Sequence, residues 1–253
     1  MMTYGNTHQG MVRTNNQDGY VIEIFDDQKT VLLVVCDGMG GANAGNIASH
    51  VALEVFSQRV QEQFKQDMDE TETEDMLRIS AQNANQAVFE ISVAKPECSG
   101  MGTTLVGAMA QGEKITLINI GDSRAYKISK DSIQQITEDH SFVQEMVRKG
   151  KLTPEEARNH PHKNLITRAI GVDTFVDSDL FHCTLEKDEI LLLCSDGLTG
   201  MVEDNEIASI IHEAESLEQA VNNLIVRACD NGGLDNITVA LYSCDDLAQQ
   251  LGE

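Results

Sequence analysis

The chain has 253 residues, of which 41% are apolar and 23% charged, an ordinary globular composition that excludes a disordered polypeptide and is long enough to bury a core without staples. Its 18 Lys and Arg stand against 41 Asp and Glu, a formal charge of −23, which argues against nucleic acid or an anionic membrane as the main partner. No stretch approaches the ~20 apolar residues of a membrane span, and the first residues lack the apolar region of a secretory signal.

The first strands are predicted at Tyr20–Phe25 and Val31–Val35, both β-branched and apolar. The glycine-rich run DGMGGANAG follows, and Ile47, Val51 and Val55 mark one face of a helix after it. Asp67 to Asp75 carries six acids in nine residues and reads as a solvated loop leading into a second helix, marked by Leu77, Ala81, Ala84, Val88 and Ile91. Strands are predicted at Thr103–Met109, Ile115–Ile120 and Ala125–Ile128, joined by segments short enough to favour antiparallel neighbours. A short helix should open at Thr153-Pro154-Glu155-Glu156, with an N-cap, a proline at the first helical position and two acids on the positive dipole end. After a strand at Ile190–Cys194, Leu217, Ala220, Val221, Leu224, Ile225 and Ala228 follow helical spacing behind a capping box of Ser216 and Gln219. The last strand is Ile237–Tyr242, and no repeat or linker divides residues 1–253. Two early helices and one late helix around many strands suggest sheets sandwiched between helix layers. The six cysteines form no CxxC pair, which implies reduced thiols in a cytoplasmic protein rather than a disulfide frame or zinc site.

Four acids stand at the ends of predicted strands: Asp37, Asp122, Asp196 and Asp235. Strand ends share the rim of a sheet, so these carboxylates can converge from distant parts of the chain. Converging carboxylates repel unless they share protons or hold cations, and oxygen-only ligands suit Mg²⁺ or Mn²⁺. An Asp-Gly pair alone marks only a turn; four such acids against apolar strands shift the balance to a metal site. The glycine-rich loop is not a dinucleotide fingerprint, since Asn43 stands where glycine is required and Asp37 would repel a pyrophosphate. No Gly-Lys-Ser/Thr follows, which removes a Walker loop.

RTNNQD at 13–18, VVCDGMGG at 34–41, GMGTTL at 100–105, NIGDSRAY at 119–126, ITEDHS at 136–141, LLLCSDGL at 191–198 and DNITV at 235–239 occur in one order along the chain. In these stretches it resembles the metal-dependent serine/threonine protein phosphatases, the PPM or type-2C family, in their compact bacterial form. The resemblance implies an α+β fold, a central antiparallel β-sandwich flanked by helices on both sides in four α-β-β-α layers. It implies hydrolysis of phosphoserine and phosphothreonine in proteins by a water or hydroxide bridging two Mn²⁺ or Mg²⁺ ions, in signalling opposed to a serine/threonine kinase. Asp37 is then expected to bridge the core ions with the Gly38 carbonyl on one, Asp196 and Asp235 to ligate the other, and Asp122 with Asp196 to hold a weaker third. Arg13 matches the arginine that grips phosphate, and Asp18 an acidic position near the metal-bound waters. A cytoplasmic monomer acting on phosphorylated proteins is expected, with a variable flap at about 141–165.

The chain departs from the family at Gln17, Met39, Ala42 and Asn46, and the acid that protonates the leaving oxygen is left unassigned. Half of the basic residues lie between Arg124 and Arg168, so the flap could steer phosphorylated substrates. His160-Pro161-His162 could bind metal, although such a pair is more often a surface loop. A weakly catalytic phosphoprotein-binding member and a Mg²⁺-dependent hydrolase of small phosphates or nucleic acid are the rival readings.

Overall fold

The computed structural model describes residues 1–25, 29–41 and 44–244. Its elements in chain order are β1 (Met2–His8), β2 (Asp18–Ile24), β3 (Thr30–Met39), α1 (Ala44–Gln63) and α2 (Glu70–Ala94). Then come β4 (Gly102–Thr103), β5 (Leu105–Gln111), β6 (Lys114–Ile120), β7 (Arg124–Ser129), β8 (Ser132–Gln135), α3 (Phe142–Arg148) and α4 (Pro154–Arg158). β9 (Asp179–Thr184), β10 (Ile190–Cys194), α5 (Asp196–Thr199), α6 (Asp204–Glu213), α7 (Leu217–Asp230) and β11 (Ile237–Ser243) complete them. One sheet runs β1-β11-β10-β7-β8 and the other β2-β3-β5-β6-β9, with β4 paired to the end of β3. Every ladder is antiparallel.

Alternation along β3 explains the layering. Val31, Leu33 and Val35 pack between the sheets with Ala108, Leu191, Leu193 and Tyr242. Leu32, Val34 and Cys36 face the other way, against Ala52, Phe56, Leu77 and Ala84 of α1 and α2. Leu192, Cys194, Val239 and Leu241 likewise pack on α6 and α7. Both faces of the central strands are therefore covered, which is why VLLVVC reads as an unbroken apolar run although the sheet is antiparallel. The expected four-layer α-β-β-α order is what forms.

Several local expectations need correction. The acidic run is loop only as far as Asp69. Asp69 caps α2, accepting from the Glu72 amide while the Glu72 side chain accepts from the Asp69 amide, so most of the acids sit in its first turns where the positive dipole end favours them. The buried stripe of α1 is Ala44, Ala48, Ala52, Phe56 and Val60, with Ile47, Val51 and Val55 only partly buried. Small side chains let α1 approach the sheet closely, so size outweighed hydropathy in choosing the face. The predicted strand Thr103–Met109 is broken at Thr104, because Thr103 turns to pair with Ile170. Ser216 caps α7 through the Gln219 amide, but the Gln219 side chain accepts from Glu215 rather than closing the box on Ser216. The helix predicted at Thr153 forms with a full capping box to Glu156. None of the six cysteines forms a disulfide among the described residues: Cys36, Cys98 and Cys194 are buried, the others half-buried.

Removing the α2 cap with Asp69→Ala should cost about 1 kcal/mol and lower Tm by about 2–4 °C. Thermal melts followed by circular dichroism check this; an unchanged Tm would mean that the acids of the first turn hold the helix without the cap.

Candidate metal centre

Because alternate strands run in opposite directions, the C-terminal ends of β3, β6 and β10 and the N-terminal ends of β2 and β11 meet at one rim. There Arg13, Asp37, Gly38, Asp122, Asp196 and Asp235 line a single cleft of about 210 Å³. Six of the seven residues singled out from the sequence thus share one space. Asp18 lies beneath it, 3% exposed and in register with Asp37.

Each acid is held by backbone that can come no closer. A Cβ on Gly38 would strike the Gly45 carbonyl, and one on Gly197 the Asn236 carbonyl, so both Asp-Gly pairs are close backbone approaches rather than simple turns. Thr104 ties two acid-bearing loops together: its hydroxyl accepts from the Asp37 amide at 2.9 Å and bonds the Ser123 hydroxyl at 2.7 Å. Gly121, with φ +112°, gives the Asp122 turn room against the Thr104 side chain. Asn236 donates to the Gln9 and Asn15 carbonyls at 2.8 and 2.9 Å and accepts from the Gln17 amide at 2.8 Å. Those bonds dock the loop that carries Arg13 beside Asp235. None of these tethering roles was readable from composition; only their place inside the matching stretches marked them.

The electrostatics are those of a site built for cations. Burial first, and then the neighbouring Asp18, Asp196, Asp122 and Asp235, push the Asp37 carboxyl well above its usual range. Burial and Asp196 do the same to Asp122, and burial and Asp235 raise Asp196. Asp18 is pushed up to about 7 by burial, against the opposing hydrogen bonds of Ser195 and Thr238. Those hydroxyls donate to one Asp18 oxygen at 2.7 and 2.8 Å. The other oxygen of Asp18, and Oδ1 of Asp196, are buried with no hydrogen-bond partner among the described residues. Orphaned carboxylate oxygens in a low-dielectric cluster are costly, and a hard divalent cation satisfies them with the oxygen donors it prefers. The residues present therefore fit Mg²⁺ or Mn²⁺.

Arg13 and Asp235, expected to serve phosphate and metal, are joined to each other, Nη2 to Oδ2 at 2.6 Å, with side chains 50% and 29% exposed. A pair so open to water is worth about 0.2–1 kcal/mol and is cheaply exchanged. Met39, Asn164, Ile166 and Gln17 also line the cleft, and Asn164 and Ile166 went unnoticed in the sequence. Asn46 lies in α1, while Ala42 and Asn43 fall outside the described residues.

The segment 141–165, expected to form a flap, carries α3 and α4, and Ser141 bridges to Ile166 beside it. His160 and His162 do not reach the cleft; their rings pack around Phe142 at 6.1 and 6.3 Å, and the His160 Nδ1 accepts from the His162 amide. Arg148, Lys149 and Arg158 of this segment are exposed and pair with Glu138, Glu145 and Glu203, which offsets part of its positive charge. Lys163 lines the adjoining cavity with Asp122 and Asp196.

A raised folded-state pKa means that the metal-free protein binds more protons than its unfolded chain, so stability falls as pH rises. For Asp18 the loss runs from the usual carboxylate range up to about 7. In chelator, Tm should drop from pH 5 to pH 8, and Asp18→Asn should flatten the slope over that window. A Tm that climbs with pH in chelator would contradict the assignment.

The comparisons with known proteins agree with this geometry. The pattern of the family described as Protein phosphatase 2C matches residues 5–232. The serine/threonine phosphatase Stp of Listeria monocytogenes is 39% identical over 240 residues, covering 94% of each chain. The crystal structure of the serine/threonine phosphatase Stp1 from Staphylococcus aureus superposes with a TM-score of 0.90 at 37% identity, covering 96% of this chain and 95% of that one. The catalytic domain of the serine/threonine protein phosphatase PstP, crystallised with two manganese ions, superposes with a TM-score of 0.81 at 31% identity over 95% and 96% of the chains. With its fold, its rim of acids and a match spanning nearly its whole length, the chain belongs to the protein phosphatase 2C family.

Proposed function

We propose that this protein, a metal-dependent protein-serine/threonine phosphatase, hydrolyses its phosphoproteins with Mn²⁺ or Mg²⁺ held by Asp37, Asp196 and Asp235. The Gly38 carbonyl contributes on one side, Asp18 acts from beneath through water, and Asp122 with Asp196 forms a weaker third position. Residues 1–253 act as one phosphatase domain, with the flap at about 141–165 covering one side of the site. The observation that carries this reading is the convergence of acids from four strand ends on one cleft, where Oδ1 of Asp196, and Oδ1 of Asp18 beneath it, are buried with no hydrogen-bond partner among the described residues.

When bound, the ions supply the positive charge that acidifies and orients the attacking water and offsets that of the phosphate. That local field lets a protein of formal charge −23 accept a dianion. The Arg13 guanidinium presents a fork of donors matched to phosphate oxygens and takes them by leaving Asp235. Asp18 stays fixed by Ser195 and Thr238 through one oxygen, and its second oxygen is buried with no hydrogen-bond partner among the described residues. No histidine stands among the described lining residues of the cleft, so the leaving alkoxide takes its proton from water. Substrates are phosphoproteins, including a serine/threonine kinase that the enzyme opposes, and the protein acts as a cytoplasmic monomer. No described helix is long and apolar enough to cross a membrane.

Phosphate release from a phosphothreonine peptide with and without Mn²⁺ tests the reading. Asp37→Asn and Asp196→Asn should each lose nearly all Mn²⁺-dependent turnover, and a variant that keeps most of it would show the ligands to be misplaced. Arg13→Ala should raise KM for the phosphopeptide about tenfold or more, while calorimetry shows Mn²⁺ binding unchanged or up to about fivefold tighter, because a competitor for Asp235 is gone. Weaker Mn²⁺ binding in that variant would contradict the exchange. His160→Ala and His162→Ala should each slow phosphopeptide hydrolysis by less than about tenfold. A hundredfold loss on the peptide with an aryl phosphate spared would instead assign the acid to that histidine.

A further inference from the structure

Beside the catalytic cleft runs a second groove of about 450 Å³, lined by Met39, Asn164, Leu165, Ile166, Val172 and Phe175 among others. Met39, Asn164 and Ile166 line both, so the two spaces adjoin. We propose that this groove takes a large apolar side chain of the substrate polypeptide, a few residues from the phosphorylated Ser or Thr in the cleft. The proposal rests on the phosphatase reading and extends it to sequence preference.

The groove is apolar where a surface loop normally is not. Leu165, Val172 and Phe175 are 53%, 49% and 65% exposed, three of the large hydrophobic side chains this protein leaves in water, gathered in one place. A clustered patch of this kind marks a contact surface, whereas scattered single residues would not.

Nor is the patch free to collapse. The segment after Ile170 is strapped to α2 by side chains on one face of that helix. Asn85 donates to the Asp173 carbonyl at 2.9 Å and accepts from the Gly171 amide at 2.7 Å. Gln82 donates to the Thr174 carbonyl at 3.1 Å, and Arg78 to the Ser178 carbonyl at 2.8 Å. Gly171, at φ +86°, sits where a Cβ would strike Val88. A backbone so tethered presents its apolar side chains in a fixed arrangement, which lowers the ordering cost of binding.

Gly102 lies under the contact between Met39, which lines both spaces, and Val172, which lines the groove. A Cβ there would lie 2.7 Å from Met39 Cε and 3.0 Å from Val172 Cγ2, so the missing side chain is what lets both lie against this spot. Met39 lines both the cleft and the groove, and it meets Val172 over Gly102, at the threshold between the two spaces. A polypeptide whose phosphoresidue sits among the acids must leave the cleft, and an extended chain advances ~3.3 Å per residue. Over this threshold its neighbouring side chains meet Ile166, Val172 and Phe175.

The test uses phosphothreonine peptides with alanine at every flanking position, and a series with one leucine moved through four positions on either side. Full-length wild type in Mn²⁺ should prefer at least one leucine peptide by about tenfold in kcat/KM, through a lower KM. Val172→Ser and Phe175→Ser, both in the exposed loop, should shrink that gain below about threefold while leaving rates on the all-alanine peptide and an aryl phosphate unchanged. No leucine preference in wild type, or a preference that survives the double variant, overturns the proposal and leaves the phosphatase reading intact. Failure of wild type to release phosphate from any of these substrates would remove both. Light scattering that shows a wild-type dimer dispersed by Phe175→Ser would give the groove to a second copy of this chain and overturn the proposal as well.

Discussion

The structure turns on the mutual repulsion of carboxylates gathered at one rim of the sandwich. Asp18, Asp37, Asp122 and Asp196 all have their protonated forms favoured, by burial first and then by neighbouring aspartates, Asp235 among them. Nothing in the acids themselves favours this assembly. It is imposed by β3, β6, β10 and β11, whose interior residues are fully buried and packed on both faces. Burial at about 25 cal/mol per Å² of apolar surface is a large enough reserve to hold a few disfavoured charges in place. The core thus does for the metal-free site what cations do for the loaded one.

Holding charges together also demands that backbones approach closely, and the residues around the acids serve that end. Gly38, Gly121 and Gly197 remove side chains where two segments touch. Thr104 and Ser123 join the Asp37 and Asp122 loops, and Ser195 with Thr238 fixes Asp18 across the two sheets. The stretches GMGTTL, LLLCSDGL and DNITV therefore carry scaffold residues as well as candidate ligands. Their hydroxyl and amide groups set where the carboxylates point without themselves needing to meet an ion.

Much of this was legible from the residues, and what escaped did so for physical reasons. Buried strands such as Val31–Val35 and Ile190–Cys194 announce themselves as apolar runs, and the acids at their ends as candidates for one rim. The strands β1, β8 and β9 went unread because each is a half-exposed sheet edge of mixed polarity with no continuous run. The face of α1 was misjudged because alanines, not the larger Ile47, Val51 and Val55, bring it onto the sheet. The pairing of Arg13 with Asp235, the Asp18–Asp37 register and the packing of His160 and His162 on Phe142 depend on long-range geometry that spacing cannot give. Met39, a mere departure from a family pattern in the sequence, acquires a place only when Gly102 and Val172 come beside it.

If repulsion among these carboxylates is the governing constraint, removing one of them should help the empty protein and harm the loaded one. The most direct measurement is Tm at pH 8 for wild type and Asp37→Asn, each in chelator and in millimolar Mn²⁺. The account predicts that the variant melts above wild type in chelator, that Mn²⁺ raises the wild-type Tm by several degrees through preferential binding to the folded state, and that it raises the variant's little or not at all. A variant that melts below wild type in chelator and still gains the full Mn²⁺ shift would contradict it.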